Sequence, residues 1–347
     1  MMHFTLLIPD LLPPQPPGGM LDLYHGLHLP DLQWLFARGT LHGSPGLSLE
    51  AWLLKRYGLD RSQPVASLSL LADGGVPNNV YWLRADPVHL QAQRDQLVLV
   101  DGSQLAITAA EANALSTSLN QHFAQDKLQF VAAQPTRWYL ALDAAPQFET
   151  TPLPAVAGKG INACLPRGTD GLRWNQIATE IQMLLHTHPV NEVRETQGQA
   201  PINSLWFWGG GFYPTLAVPP MQKEQLWSDD PLARGLALAE QQTPQDLPLN
   251  FDTFMAQAKT SVDHCVLWDA LRRAAWYGDH EAWRAGLARL EADWIKPLCY
   301  ALRHGFIAEV TLHAISAQGC LSVTTTRAER WRFWRRSKNL KHYLSAP

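Results

Sequence analysis

The stretch that decides the fold is residues 186–214, which read HTHPVNEVRETQGQAPINSLWFWGGGFYP. An amphipathic helix ends in this stretch, a polar loop follows, and residues 202–208 form a short apolar, aromatic run typical of a buried strand. The glycines at 209–211 then place a backbone without side chains at the end of that strand. In an open α/β sheet, the carboxyl end of a strand is where ligands bind.

Polar side chains crowd the loop before this strand, and together with the glycines they are candidate binding residues. The candidates are His188, Asn191, Arg194, Asn203, Gly209 and Gly210. The alternative is that the glycines make a tight turn and the polar groups cap a helix. The residues alone leave both interpretations open.

Composition limits the class of protein. A chain of 347 residues predicts about two domains at roughly 150 residues each, and 46% hydrophobic residues can supply a core to both. The formal net charge of −3 gives no whole-chain field for nucleic acid or membranes. The four cysteines form no Cys-x-x-Cys pair, and no basic segment precedes an apolar leader. We expect a bacterial-type cytoplasmic protein.

The N-terminal part of the chain predicts a central strand over residues 4–8, with Asp10 at its carboxyl tip. The Pro-rich and Gly-rich segment 13–19 predicts a loop or linker. A helix is expected to begin just after Ser48 and to run to Gly58. Ser48 has two interpretations that both stay open: a helix cap, or a phosphorylatable nucleophile at a helix N-terminus.

The middle of the chain has a different pattern of predicted helices and strands. Thr108 and Glu111 form a capping-box pattern that predicts a helix to about Phe123, and residues 129–133 and 137–142 predict a hairpin. We therefore predict a compact inserted α+β cap domain. Its predicted bounds are 80–199, and residues 1–79 with 200–347 form the core domain.

Several segments, in order, resemble the archaeal-type, cofactor-independent phosphoglycerate mutases. These segments are LLIPD at 6–10, YWLRADPVHL at 81–90, LVLVDG at 97–102, GKGINACLP at 158–166 and the stretch at 186–214. A closer resemblance is to bacterial relatives of those mutases, the RpfE-type regulatory proteins. The resemblance covers roughly residues 4 to 325.

The resemblance implies the alkaline phosphatase superfamily: an α/β fold with a doubly wound core, two divalent metals, a serine that takes the phosphoryl group, and an inserted smaller α+β domain. Asp10 matches a metal-binding aspartate, Ser48 lies within about one residue of the nucleophilic serine, and Arg84 matches a substrate-side arginine. His188, Asn191, Arg194, Asn203, Trp208 and Gly209 match the central motif.

The C-terminal half departs from the family pattern. Asp269 is followed by Arg273 where the family has a histidine, and Leu312-His313 stands where Asp-His is expected. The candidate metal ligands are therefore Asp10, Asp269, His280 and His313. Because many carboxylate and imidazole ligands are replaced, we expect no bound cofactor; manganese or another divalent metal is expected only if the site is active.

The sequence thus predicts a phosphoglycerate mutase-like protein that is degenerate at the dinuclear site and acts as an anion-binding or regulatory protein for a small phosphorylated acid. The alternative is an active metal-dependent phosphomutase or phosphatase with Ser48 as nucleophile. A homodimer is left open.

The C-terminal tail offers another class of function, because basic and aromatic residues alternate there. They are Arg327, Arg330, Arg332, Arg335, Arg336, Lys338 and Lys341, interleaved with Trp331, Phe333 and Trp334. This pattern suits nucleic acid or an anionic membrane. A terminal charge run is more often a solvated face, so we expect neither partner and leave open that the aromatics dock on the core.

Overall fold

The computed structural model describes residues 2–13, 22–59, 64–93, 96–215, 224–332 and 334–344, without the side chain of Arg330. The chain divides into two compact units, one of Met1–Gly58 with Leu216–Pro347 and one of Leu59–Thr215. The predicted loop at 13–19 lies outside the described residues beyond Pro13. No described helix has the length and apolar character needed to cross a membrane.

The strands, in chain order, are β1 Met2–Pro9, β2 Thr40–Pro45, β3 Tyr81–Gln93, β4 Gln96–Asp101, β5 Gln129–Gln134, β6 Arg137–Leu142, β7 Ser204–Gly211, β8 Gln225–Trp227, β9 His264–Leu267, β10 Ile307–Ile315 and β11 Gly319–Thr326. The helices are α1 Pro30–Arg38, α2 Leu49–Arg56, α3 Val65–Ala72, α4 Ala109–His122, α5 Leu153–Val156, α6 Gly171–His186, α7 Pro189–Thr196, α8 Pro231–Ala239, α9 Phe251–Gln257, α10 Arg272–Trp276, α11 His280–Leu290 and α12 Lys296–His304.

The first unit is built on a sheet with the order β2-β11-β10-β1-β9-β8. Strands β8, β9, β1 and β10 run parallel, and β11 and β2 add an antiparallel edge. β1 is central and almost wholly buried, because residues 4–8 are apolar on both faces, as parallel strands covered by helices require. The predicted α/β fold with a parallel core sheet is confirmed.

The second unit contains an antiparallel sheet in which the long strand β3 pairs with β4, β6 and β7, and β5 pairs with β6. The predicted capping box is present, because Thr108 accepts from the Glu111 N–H and Glu111 accepts from the Thr108 N–H. Helices α4 and α6 supply the apolar side chains that fill the core under this sheet.

The domain boundaries differ from those predicted. β7 was expected to belong to the core sheet, but it pairs with β3 in the second unit, in register from Trp82↔Gly211 to Val88↔Ser204. The second unit therefore begins at Leu59 and ends at Thr215, rather than covering 80–199. A buried apolar run predicts a strand, but it does not say which sheet receives the strand.

A π-helical turn interrupts the long helical segment over residues 280–304. α11 ends at Leu290, a π-helical turn covers Glu291–Ile295, and α12 begins at Lys296. The Lys296 N–H donates to Glu291 O, the wider spacing of a π-turn. Pro297 comes next and has no N–H to donate, so the break in the regular hydrogen-bond ladder falls where proline would disturb it.

Candidate functional site

Three predicted site residues reach the carboxyl edge of the parallel sheet in the first unit. Asp10 follows β1, and its N–H donates to Ile315 O at 2.9 Å. Its φ of 56° is left-handed, a conformation that aspartate tolerates better than most residues. Asp269 lies two residues after the last residue of β9. Ser48 reaches the same edge, because the preceding residue, Leu47, donates its N–H to Ser316 O just beyond β10.

Ser48 is the N-cap of α2. Its Oγ accepts a hydrogen bond from the Ala51 N–H at 3.2 Å, and its backbone is extended, as a cap requires. Of the two interpretations left open by the sequence, the geometry of a cap is the one present. A serine in this position also lies against the positive end of the helix dipole.

The two predicted histidine ligands lie elsewhere in the first unit. His313 belongs to β10, two residues before the strand ends, and its Nδ1 lies 2.7 Å from Ser322 Oγ. Its ring packs on Trp52 with centroids 5.1 Å apart. Burial, with a smaller contribution from Arg56, lowers the pKa of His313 to about 4, so the ring is neutral. His280 is the first residue of α11 and is half-buried.

These residues do not assemble into a dinuclear donor set. Within the described ranges, no group of three or more His, Cys, Asp or Glu side chains is arranged to hold a metal ion. Two divalent cations need several oxygen or nitrogen ligands each, in fixed geometry.

A guanidinium lies among the carboxylates at this edge. Arg272 Nη2 is 2.5 Å from Glu50 Oε1, and Arg272 Nη1 is 3.7 Å from Asp230 Oδ2. Asp269 also interacts electrostatically with Arg272. Glu50 and Arg272 are at most 9% exposed. One buried positive charge therefore interacts with three carboxylates. They come from α2, from the segment after β8 and from the segment after β9.

The pKa values of the three carboxyl groups shift in different directions in this environment. Burial raises the pKa of Asp230 to about 6; the negative charges of Asp269 and Glu50 add to the rise, and Arg272 opposes it. Burial likewise raises the pKa of Asp269. Burial also works against ionisation of Glu50, but the charge and hydrogen bond of Arg272 hold the pKa of Glu50 below its ordinary value. Negative charge is thus in excess around Arg272.

Sequence reasoning missed Glu50, Asp230 and Arg272. The family pattern directed attention to Arg273, which is exposed, whereas the buried cation is its neighbour Arg272. A usable signal was present, because Asp230 precedes a proline at a helix start and Glu50 lies two residues after Ser48. Neither pattern identifies an interaction partner, because Glu50, Asp230 and Asp269 lie up to 219 positions apart in the chain.

The predicted substrate residues all belong to the second unit, where each is engaged within the fold. Arg84 is 6% exposed and donates to Asp86 Oδ1 through Nε at 3.1 Å and Nη2 at 2.7 Å. Its guanidinium lies over the rings of Tyr139 and Trp208, at 5.4 and 5.2 Å from their centroids. A phosphate or carboxylate of a ligand would have to displace Asp86 to reach it.

Arg194 and Asn191 hold the loop before β7. Arg194 is 1% exposed and donates to Ala200 O, Glu111 Oε1 and Leu105 O, at 2.9, 2.9 and 2.5 Å. Asn191 Nδ2 donates to Leu185 O and Ile202 O, and its Oδ1 accepts from the Ile202 N–H. These bonds fix the strand entry.

Asn203 and His188 have comparable local bonds. Asn203 exchanges two hydrogen bonds with the backbone of Leu90, at 2.7 and 3.0 Å. His188 Nδ1 accepts from the Val190 N–H, so the neutral ring carries its proton on Nε2 and donates it to Ser118 Oγ at 2.9 Å. Burial lowers the pKa of His188, which favours this neutral form.

The glycines have a packing explanation. A Cβ at Gly209, whose φ is +63°, would lie 2.9 Å from the Cβ of Val65 on α3. A side chain at Gly210 would meet Tyr81, and one at Gly211 would lie 2.7 Å from the Cα of Pro64. Gly209 and Gly211 therefore permit the close approach of α3 and its N-terminal end to β7, and Gly210 leaves room for the Tyr81 side chain of β3.

A family model of known proteins matches part of this second unit. Residues 75–191 match the family model described as 2,3-bisphosphoglycerate-independent phosphoglycerate mutase. Enzymes of that name are similar in Methanosarcina mazei, 29% identical over 119 residues, and in Methanosarcina barkeri, 27% identical over 176 residues. These alignments cover 34% and 45% of this chain, and only 30% and 44% of the relatives.

Two solved structures align with most of the chain. A protein of Pyrococcus horikoshii has a TM-score of 0.54 at 14% identity, covering 93% of this chain and 87% of that one. A cofactor-independent phosphoglycerate mutase from Thermoplasma acidophilum has a TM-score of 0.47 at 18% identity, covering 94% and 89%. The chain thus has an α/β fold similar to that of the Pyrococcus horikoshii protein, and residues 75–191, in its second unit, are similar to 2,3-bisphosphoglycerate-independent phosphoglycerate mutases.

Proposed function

We propose that this phosphoglycerate mutase-like protein does not transfer phosphoryl groups through bound metal ions, and that it acts by binding, as a regulatory protein of the RpfE type. The observation that supports the proposal is the buried guanidinium of Arg272 among Glu50, Asp230 and Asp269. In the metal-dependent relatives that the sequence resembles, the carboxyl edge of this sheet carries the cations.

Electrostatics explains why an arginine and metal ions exclude one another here. The guanidinium stays protonated at all relevant pH values, and the carboxylates around Arg272 raise its pKa further against the effect of burial. A divalent cation brought to the same carboxylates would be repelled by Arg272 and would have to displace it from Glu50. The remaining predicted ligands, His280 and His313, do not complete a donor set with these carboxylates.

The nature of the bound molecule remains a prediction. A small phosphorylated acid was expected at Arg84 and Arg194, and both guanidiniums are held by carboxylates of the fold, Asp86 and Glu111. Binding there requires that the ligand replace those carboxylates. Isothermal titration of the parent with a phosphorylated three-carbon acid, repeated with Arg84→Met and Arg194→Met, tests this part separately.

The decisive experiment compares Arg272→Ala with Arg273→Ala, which removes the exposed neighbouring charge. Arg272→Ala leaves buried carboxylates uncompensated, so we expect a loss of about 3 kcal/mol in unfolding free energy at pH 7.5. Manganese should then stabilise this variant, because three carboxylates become available to a cation. The parent and Arg273→Ala should show no manganese-dependent shift in Tm and no phosphatase turnover.

The alternative, an active metal-dependent phosphomutase or phosphatase, is favoured by one observation: Asp10, Ser48 and Asp269 reach the same edge of the sheet. Its signature would be manganese-dependent turnover by the parent that Ser48→Ala abolishes. That result would overturn our proposal, as would manganese stabilisation of the parent equal to that of Arg272→Ala.

A further inference from the structure

The C-terminal tail is anchored to the first unit at its far end. Leu340 and Tyr343 are buried in the core of that unit, and Tyr343 packs on Phe36 with ring centroids 4.9 Å apart. Asn339 Nδ2 donates to Tyr24 O, and Lys341 Nζ is 2.9 Å from Asp22. Phe333 and the side chain of Arg330 lie outside the described residues.

The segment before this anchor presents its aromatic side chains outward. Trp331 is 64% exposed and Trp334 is 67% exposed, so most of each side chain faces solvent. Arg336 and Lys338 are also exposed, and no acidic residue occurs between positions 331 and 338. In a chain with a formal net charge of −3, this short segment is a local concentration of positive charge.

The backbone of the segment is held in place by its own arginines. Arg332 Nη1 donates to Arg38 O at 3.0 Å, and Arg335 Nη1 donates to Gly39 O at 3.1 Å, at the C-terminal end of α1. Nε and Nη1 of Arg38 are buried and have no acceptor among the described residues. Buried charged donors without an acceptor are costly, so this end of α1 lacks an anionic partner.

We propose that the segment of Trp331, Trp334, Arg336 and Lys338 docks the protein on an anionic membrane surface. Indole rings favour the membrane–water interface, where their apolar faces leave water and their N–H groups remain hydrated. Basic side chains beside them add attraction to anionic headgroups. A single-stranded nucleic acid would call for a positively charged groove that tracks several phosphates, whereas the exposed cations here lie on one short segment.

The test is co-sedimentation of the full chain with lipid vesicles at low and high salt. We expect the parent to bind vesicles rich in phosphatidylglycerol, to release them as salt rises, and to ignore vesicles of phosphatidylcholine alone. Arg336→Gln/Lys338→Gln should weaken partitioning roughly tenfold or more, since each basic residue near an anionic surface contributes measurably. Trp331→Ser/Trp334→Ser should weaken it to a similar degree.

Arg173→Gln/Arg289→Gln is the matched control, because it removes two exposed cations elsewhere and changes the net charge equally. It should bind vesicles like the parent. Equal loss in this control would overturn the proposal, because whole-protein charge would then explain binding. Retention of a single-stranded oligonucleotide by a parent that ignores anionic vesicles would also overturn it, as would binding to neither.

Discussion

Both units of this protein bury an arginine against carboxylates at a predicted site, and the two clusters differ in charge balance. In the second unit Arg84 is paired with Asp86, and Asp73, which is paired with Arg137, contributes more weakly. Asp86 Oδ1 accepts from Arg84 and from the Trp138 N–H at 3.3 Å, and Asp86 Oδ2 accepts from Trp208 Nε1 at 2.7 Å. In the first unit Arg272 faces Glu50, Asp230 and Asp269, and Glu50 Oε2 is buried without a hydrogen-bond partner among the described residues.

This difference in charge balance distinguishes a buried ion pair that only supports the fold from a buried cluster with excess negative charge. A one-to-one pair whose oxygens are all hydrogen-bonded fixes the positions of the strands that carry it, and β3, β6 and β7 all contribute to the Arg84 cluster. Three carboxylates around one guanidinium are more than a structural pair requires. Because Arg272 already occupies these carboxylates, a divalent cation would have to displace it, so the Arg272 cluster supports our functional proposal and the Arg84 cluster does not.

The largest expected effect is on Arg84. Arg84→Met should lower the unfolding free energy by about 4 kcal/mol, because Asp86 would stay buried without its counter-charge. Manganese should not restore the loss, since a single carboxylate cannot hold the ion. Denaturant unfolding with and without the metal measures both.

A double variant provides the control for that result. Arg84→Met/Asp86→Asn removes both charges and should be more stable than Arg84→Met, because no uncompensated carboxylate remains. If the double variant were the less stable of the two, the Arg84 cluster would not depend on charge pairing.

A medium effect is expected at Asp230, and it depends on pH. The pKa of Asp230 in the fold is about 6, above its ordinary 3.8, so the folded protein favours the protonated form. Stability from this group is therefore lost as pH rises from about 4 to about 6. Asp230→Asn should be more stable than the parent by roughly 1–3 kcal/mol at pH 7.5, and this gain should vanish near pH 4.

Asparagine can still accept the Ala233 N–H that Asp230 accepts at 2.9 Å, so the helix cap is kept. Asp229→Asn is the control, because Asp229 is exposed and its Oδ1 accepts the backbone N–H of Leu247 at the surface. A gain at Asp230→Asn that is the same at pH 4 and pH 7.5 would show that charge excess is not its cause.

The smallest effect is expected at Ser48. Ser48→Ala should lower stability by about 1 kcal/mol through the lost cap, and Ser48→Asp should restore most of it, because aspartate caps as well as serine. Thr108→Ala in the second unit is a comparison, since it removes the cap of α4. Unchanged stability of Ser48→Ala, measured by chemical denaturation, would mean that the cap contributes nothing.

The sequence predicted elements better than their assembly. β1, the Thr108–Glu111 capping box and the hairpin follow from local patterns and are present. β2 was missed because its six residues are all exposed and carry no apolar alternation, so only its pairing with β11 makes it a strand. The sheet that accepts β7 depends on contacts with β3, more than a hundred residues earlier.

The candidate site likewise combines local features, which could be predicted, with long-range contacts, which could not. The positions of Asp10 at a strand tip and Ser48 at a helix start could be predicted, because each depends on a few neighbouring residues. The Arg272 cluster could not, since Glu50, Asp230 and Arg272 meet only through the sheet. The structural roles of Arg84 and Arg194 could not be predicted either. A motif gives the residue type, but it does not show whether the side chain already donates its hydrogen bonds to other groups of the fold.

The π-helical turn between α11 and α12 has a consequence for how the chain tolerates length changes. The turn carries Glu291, whose two oxygens accept the N–H groups of Asp31 and Leu32 at 2.7 and 3.0 Å, and so close the start of α1. A π-turn holds about one residue more than an α-turn, so deleting one residue here would give a regular helix and leave the later residues in nearly the same orientation. Leu298 and Leu302, now fully buried, would stay on the core side of α12. The widened turn therefore accommodates one extra residue without changing which face of α12 is buried.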